Sequence, residues 1–394
     1  MATRSGRTQR VRWSLAALAC VPAIASASCR DDAEPPAPRA CSDVELLVAA
    51  SDYMSTVICG APGCTAGRGT TGVDLVDPLL VTSNGRAFAL ARLDDVVFEL
   101  DPSCGTPIGR FSVHDLAPRD PNTGQVRVPA NPQDVAAAPD GTLVIPLFNT
   151  PHLAFVKDGK VDGTLDLSSY DVDGNPQANA AAIVDVDGVP KAFVTLERLD
   201  DGTKDLLSTR PSQMLRIDVA TRQPEAVVEL EGRNPFNVMS ELDGALYLAA
   251  PGDFEAADED RAGIERFDTR SSTTRLLVRE RELGGSVSEV AVTAGCGAAI
   301  VAGPQKNVNP TSLVTFDPVT GAVLRSASSP VLATEGYDLQ GLAWRGRRLY
   351  VGDRRRGASG YTIHVFEADD ACGLTPTDRS IDLPHPPVAL RPAL

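Results

Sequence analysis

Apolar runs of strand length recur along the chain, each entered through a turn. They read GRAFALARLDD (85–95), GTLVIPLFNT (141–150), PKAFVTLERLDD (190–201), GALYLAAPGDF (244–254), CGAAIVAGPQK (296–306) and GRRLYVGDRRR (346–356), with VELLVAASDY (44–53) at the front. β-Branched and aliphatic residues bounded by Gly or charged turns predict β-strands. A second run follows each and stops at an Asp or Gly turn, as in VVFELDPSCG (96–105), QMLRIDVATR (213–222), GIERFDTRSS (263–272) and SLVTFDPVTG (312–321). HLAFVKDGK (152–160), YTIHVFEADDACG (361–373) and MSTVICGAPGC (54–64) are looser copies. An Asp before the turn bonds its own backbone two residues on, which favours a hairpin. Outer strands such as PEAVVELE (224–231) and TTRLLVRE (273–280) come next.

Each unit also has an opening strand: NPQDVAAAPDG (131–141), NPFNVMSELDG (234–244), SVSEVAVTAG (286–295) and DLQGLAWRG (338–346), with fainter copies near Asp77 and Asn179. From Asn131 to Asp338 these openings recur every 48–55 residues. Four antiparallel strands per period of about fifty residues describe a β-propeller blade. The front copy lacks its opening strand, and HPPVALRPAL (385–394) is an orphan at the far end. The expectation is an all-β, seven-bladed propeller over residues 44–394, closed by the C-terminal strand joining the N-terminal blade. Six or eight blades stay open, because the copy near Asn179 is faint. A pair of β-sandwiches would leave the two orphan ends unexplained.

The hairpins FDPVTG (316–321) and IDVATR (217–222) resemble those of YVTN- and NHL-type propellers of secreted bacterial proteins. The resemblance covers nearly all of residues 44–394 and implies a fold rather than an activity. The repeats carry no WD dipeptide, which sets the chain apart from WD40 rings.

Ahead of the repeats, residues 1–12 carry Arg4, Arg7, Arg10 and Arg12 and no acid, and WSLAALACVPAIA (13–25) follows. A basic end, a short apolar core and a small-residue exit describe a secretory signal peptide over residues 1–28. Thirteen residues are too few to span a bilayer. Ser26-Ala27-Ser28-Cys29 resembles a lipoprotein box, which would lipidate Cys29, although the box prefers an aliphatic residue where Ser26 stands. Cleavage after Ala27 or before Cys20 competes. Residues 29–43 include DDAEPPAPR (31–39), a charged, proline-rich tether. The expected location is the bacterial cell envelope, lipid-anchored through Cys29, or secretion if the box fails.

Composition narrows the partners. The 394 residues carry a net charge of −15, which becomes −19 once the four leader arginines are removed, so nucleic acid is an unlikely partner. After cleavage before Cys29, six further cysteines remain, an even number suited to an oxidising compartment. First-to-second and third-to-fourth turns share one face of a propeller, and this relation offers Cys41–Cys104 and Cys296–Cys372, leaving Cys59–Cys64. That is one of fifteen connectivities, and buried free thiols are the alternative.

Catalytic signatures are absent: no G-x-S-x-G, H-E-x-x-H, P-loop or C-x-x-C occurs, and His114, His152, His364 and His385 fall in different blades. Enzyme activity therefore has no direct support. Residues beginning the opening strands converge near a ring's axis, and aligned they include Asp134, Asn237 and Glu289. An Asp, an Asn and a Glu could hold Ca²⁺ through oxygen ligands, as the resemblance to gluconolactonase (regucalcin-type) propellers implies, with Glu197 as a base. The competing reading is a polar, water-filled channel mouth. DVDGN (171–175) echoes part of a calcium loop but reads better as a turn. The acidic segment 252–263 and Arg354–Arg356 share that face, where a protein or small-molecule ligand could dock. The leading expectation is an exported binding or scaffold protein, and a metal-dependent lactonase-like hydrolase is the alternative.

Overall fold

A computed structural model describes residues 43–64, 75–203, 206–253, 260–303 and 310–394. The leader, Cys29, Cys41 and nearly all of the tether lie outside those residues. Seven antiparallel sheets follow one another along the chain. Blade 2 shows the pattern, with Pro78–Ser83, Arg86–Ala91, Val96–Leu100 and Pro107–Ser112 running from the axis outward. The inner strands of blades 3 to 7 are Ala136–Ala137, Ala178–Val186, Phe236–Leu242, Ser286–Thr293 and Leu339–Arg345. Blade 1 joins the two ends of the chain: Pro387–Pro392 pairs with Leu46–Ser51, which pairs with Thr56–Ala61. The fold is thus the all-β, seven-bladed propeller that the orphan strands anticipate.

Blade packing explains why the second strands read as unbroken apolar runs. Seven hydrophobic clusters occupy the seven seams between neighbouring blades. In Leu46–Ser51, Leu46 and Val48 face blade 7 beside Tyr350 and Ile363, while Leu47 and Ala49 face blade 2 beside Leu80 and Phe98. A strand buried on both faces has no polar side, so its sequence does not alternate. Outer strands do alternate: Gln223–Glu229 shows every second residue exposed.

Polar groups lace the seams near the axis. The Ser83 hydroxyl accepts the Ala137 N–H at 2.9 Å, Asp134 accepts Ala181 N–H at 2.9 Å, and Ser240 accepts Val292 N–H at 3.0 Å. Glu289 accepts both Gly341 and Leu342 N–H, at 2.8 and 2.9 Å. Gly341 has φ +92°, and a Cβ there would sit 2.9 Å from Leu390 of the closing strand, so only glycine fits.

Disulfides add covalent ties. Cys296, in the first hairpin of blade 6, bonds Cys372, in the outer hairpin of blade 7, with Cα atoms 5.0 Å apart. Cys59 bonds Cys64 across the end of its own strand, and Cys104 is also disulfide-bonded. These bonds fit an oxidising compartment outside the cytoplasm.

The period is less even than the sequence implies. Inner strands start from 42 residues apart (Ala136 to Ala178) to 58 apart (Pro78 to Ala136). The faint copy near Asn179 forms a nine-residue strand, Ala178–Val186, whereas NPQDVAAAPDG supplies only Ala136–Ala137 and a Pro132–Leu147 bridge. Asn131, in the left-handed region at φ 62°, breaks the backbone there.

Candidate functional site: a polar cavity at the mouth of the ring

All inner strands run the same way, so the connectors that enter them share one face with the hairpins between second and third strands. This entry face differs from the opposite one. On the far face, Asn84, Asp158, Asp187 and Asp243 are left-handed and each is followed by Gly, the sequence that such hairpins favour, while Arg222, Ser272 and Cys372 take the same conformation in outer hairpins. On the entry face they include Tyr53, Gln177, Arg198 and Leu206, at φ 67°, 46°, 58° and 49°. Long side chains pay about 1 kcal/mol or more for that conformation, and such strain collects at binding and catalytic sites. Of the sixteen large hydrophobic side chains exposed among the described residues, nine sit on entry-face loops, Tyr53, Met54, Val172 and Tyr337 among them.

A second regularity points to the axis. In six of the seven inner strands the pairing to the second strand breaks at the same level. Blade 2 alone keeps an unbroken register. The residues passed over at the breaks include Gln133, Asn179, Asn237, Gln340 and Val388. A bulge turns its extra residue away from the ladder and re-aims the side chain. All five line one cavity of about 240 Å³ at the entry-face end of the channel. Tyr53, Phe236 and Tyr337 add aromatic surface, and Asp77, Arg92, Glu289 and Arg391 add charge.

Most of the charge is already matched. Arg92 pairs with Asp77 and donates to Gln133 Oε1 at 2.9 Å. Arg354 donates to Gln340 and to the Tyr53 hydroxyl, and its guanidinium lies 5.0 Å from the centre of the Tyr53 ring. Arg391 faces Glu289 and Asp134; enclosure by protein lowers its pKa and the two carboxylates oppose that. The uncommitted groups are amides. Among the described residues, Asn237 uses only Oδ1, on the Val238 N–H at 2.9 Å, and Asn179 only Nδ2, on Glu197 at 2.5 Å. Gln340 uses only its oxygen.

The candidate ligands for a cation are dispersed by this geometry. Asn237 and Glu289 line the mouth cavity, whereas Asp134 lines a second cavity of about 330 Å³ deeper in the channel, and Arg391 lines both. The carboxylates of Asp134 and Glu289 are spent on backbone N–H groups of the next blade. Burial pushes Asp134 up to about 6 and raises Glu289. No group of three or more His, Cys, Asp or Glu residues among the described residues is arranged to hold a metal. Glu197 lies behind the cavity wall, its pKa pushed up to about 8 by burial against the opposing Asn179 hydrogen bond. Asp171 and Asp173 of the DVDGN turn pair with Arg210. Arg355 pairs with Asp353, as does His364 at 2.9 Å, and half of the acidic segment, residues 254–259, lies outside the described residues.

The sequence pattern placed Asn237 near the axis but did not show the bulges or the other three amides that they expose. The only trace was polar residues (Gln133, Asn179, Asn237, Gln340) inside opening strands that otherwise read as apolar.

No protein family model and no curated protein sequence matches the chain. Solved structures match in fold. Hydrazine synthase of Kuenenia stuttgartiensis aligns with a TM-score of 0.55 at 15% identity, over 83% of this chain and 92% of that one. A proposed 6-phosphogluconolactonase from Bacteroides uniformis aligns at 0.52 and 13% identity, over 89% and 99%. A protein of unknown function from Desulfotomaculum acetoxidans aligns at 0.50 and 11% identity, over 89% and 99%. At these identities the likeness is one of fold.

Proposed function

We propose that this propeller is an exported binding protein of the bacterial cell envelope, tethered through a lipidated Cys29, that takes a small ligand into the mouth of its channel. One observation carries the reading: six inner strands break at a common level, and four of them turn a side-chain amide into a single cavity. A rigid ring with a preformed, partly uncommitted polar pocket is suited to binding without chemistry. Melting of the processed protein in the presence of neutral sugars, sugar phosphates, amino acids and divalent cations tests it. At least one compound should raise the melting temperature of the wild type by several degrees and leave Asn237→Ala unmoved. If every compound leaves the wild type unmoved, or stabilises the variant equally, the mouth is not a binding site.

The lactonase-like alternative has one feature in its favour. Glu197 remains protonated near neutral pH one residue behind the cavity, where an acid–base group would be useful. Against it stands Arg391, a cation between the carboxylates that would have to hold the metal. Excess Ca²⁺ or a chelator should leave the melting temperature where it is; a shift with Ca²⁺ would revive the metal reading.

A further inference from the structure

We propose that the ligand of the mouth cavity is a neutral, polyhydroxylated ring the size of one monosaccharide, held by Asn179, Asn237 and Gln340. The inference rests on the binding reading above and narrows its ligand class.

Charge balance is the first argument. Within the cavity wall Arg92 and Arg391 stand against Asp77 and Glu289, so the lining has no surplus of either sign. Most of the charged groups are also engaged: Arg92 on Asp77 and Gln133, Glu289 on two backbone N–H groups, and the neighbouring Arg354 on Gln340 and Tyr53, while Arg391 donates to the Leu390 carbonyl and faces Glu289 and Asp134. An ammonium ligand would have to strip one of these pairs, and a phosphate or carboxylate ligand would have to share Arg391 with Glu289 and Asp134 in a confined site. A neutral ligand need not.

Hydrogen-bond chemistry is the second. Among the described residues, what is left open is the Asn179 carbonyl oxygen, the Asn237 amide nitrogen and the Gln340 amide nitrogen, from blades 4, 5 and 7. A carboxamide supplies donors and an acceptor at neutral charge, and a hydroxyl both donates and accepts, so a ring of hydroxyls matches a ring of amides. Whichever way each amide is turned, one end stays open. Shape is the third. About 240 Å³ is small for a drug-sized ligand and suits one six-membered ring. Tyr53, Phe236 and Tyr337 offer flat apolar faces for the C–H side of such a ring.

Saturation-transfer NMR on the processed protein, with glucose, galactose, mannose and N-acetylglucosamine each at about 10 mM, provides the test. At least one sugar should show transfer to its ring protons. Its binding should weaken at least tenfold in Asn237→Ala and in Gln340→Ala, with melting curves recorded to show that both variants fold. The matching uronic acid or sugar 6-phosphate should bind wild type at least tenfold more weakly than the neutral sugar, a comparison that needs no variant. Absence of transfer from all four sugars overturns the proposal, as does tighter binding of the charged analogue or unchanged binding in both variants. If an amino acid or an anion stabilises the wild type and fails on Asn237→Ala, the binding reading survives and the sugar assignment falls.

Discussion

Inside blade 4 the Glu197 carboxyl accepts a hydrogen bond from the Asn179 amide. Burial holds it neutral up to about pH 8, against an ordinary value of 4.5. Between those values the unfolded chain ionises and the ring does not, so stability falls as pH rises from about 4.5 to 8 and levels off above. Glu197→Gln keeps the acceptor for Asn179 and removes the titration. Denaturant melts should show the variant gaining a few kcal/mol on the wild type at pH 8 and almost nothing at pH 5; an equal gain at both would mean that Glu197 ionises normally. Individual side chains were the least legible part of the sequence. Asn237 and Glu289 line the mouth cavity, but in blade 3 it is Gln133 rather than the aligned Asp134 that joins them. A bulge decides which way a side chain at that level turns, and nothing in NPQDVAAAPDG or SVSEVAVTAG marks where the ladder will slip.

Strands and seams were legible because burial on both faces writes itself as a continuous apolar run, and Asp-Gly or Asn-Gly writes a hairpin. What the pattern could not show is how one blade holds the next. Glu289 reaches across a seam to Gly341 and Leu342 N–H, and it faces Arg391 on the closing strand. Glu289→Ala strips the partners from two backbone donors and a cation at once, and should cost about 2–4 kcal/mol in a denaturant titration. A loss below about 1 kcal/mol would show that water replaces the latch. The Cys296–Cys372 bridge ties blades 6 and 7 over 76 residues of chain. On the loop-entropy account it contributes about 4 kcal/mol, so the paired Cys296→Ser and Cys372→Ser variant should unfold at clearly lower denaturant. An unchanged midpoint would assign that seam's stability to packing alone.

At the scale of the whole molecule, seven apolar seams make every blade depend on two neighbours, and closure leaves no blade with a bare face. Removing residues 387–394 deletes the inner strand of blade 1 and exposes Leu46–Ser51 along its full length. That truncation should lose the single melting transition and associate through the bared edge, which sedimentation would register as oligomers. A monomer that melts in one step would show that blade 1 does not need its third partner. The proposed lipid anchor is tested on the whole protein as well: palmitate labelling should vanish in Cys29→Ser, and persistence of the label would refute the anchor.

The composite blade also sets a timetable. Leu46–Ser51 is among the first strands to be synthesised, and Pro387–Pro392 is the last. Blades 2 to 7 can assemble in order as the chain emerges, but the first blade must wait for the final residues with one edge bare. Until then Arg391 is not in place to face Glu289 and Asp134, and a gap stands where the seventh seam will form. Synthesis or transport that halts short of the C-terminus therefore leaves an open crescent with a sticky edge, a form that a protease or chaperone can tell apart from the finished ring by touch alone.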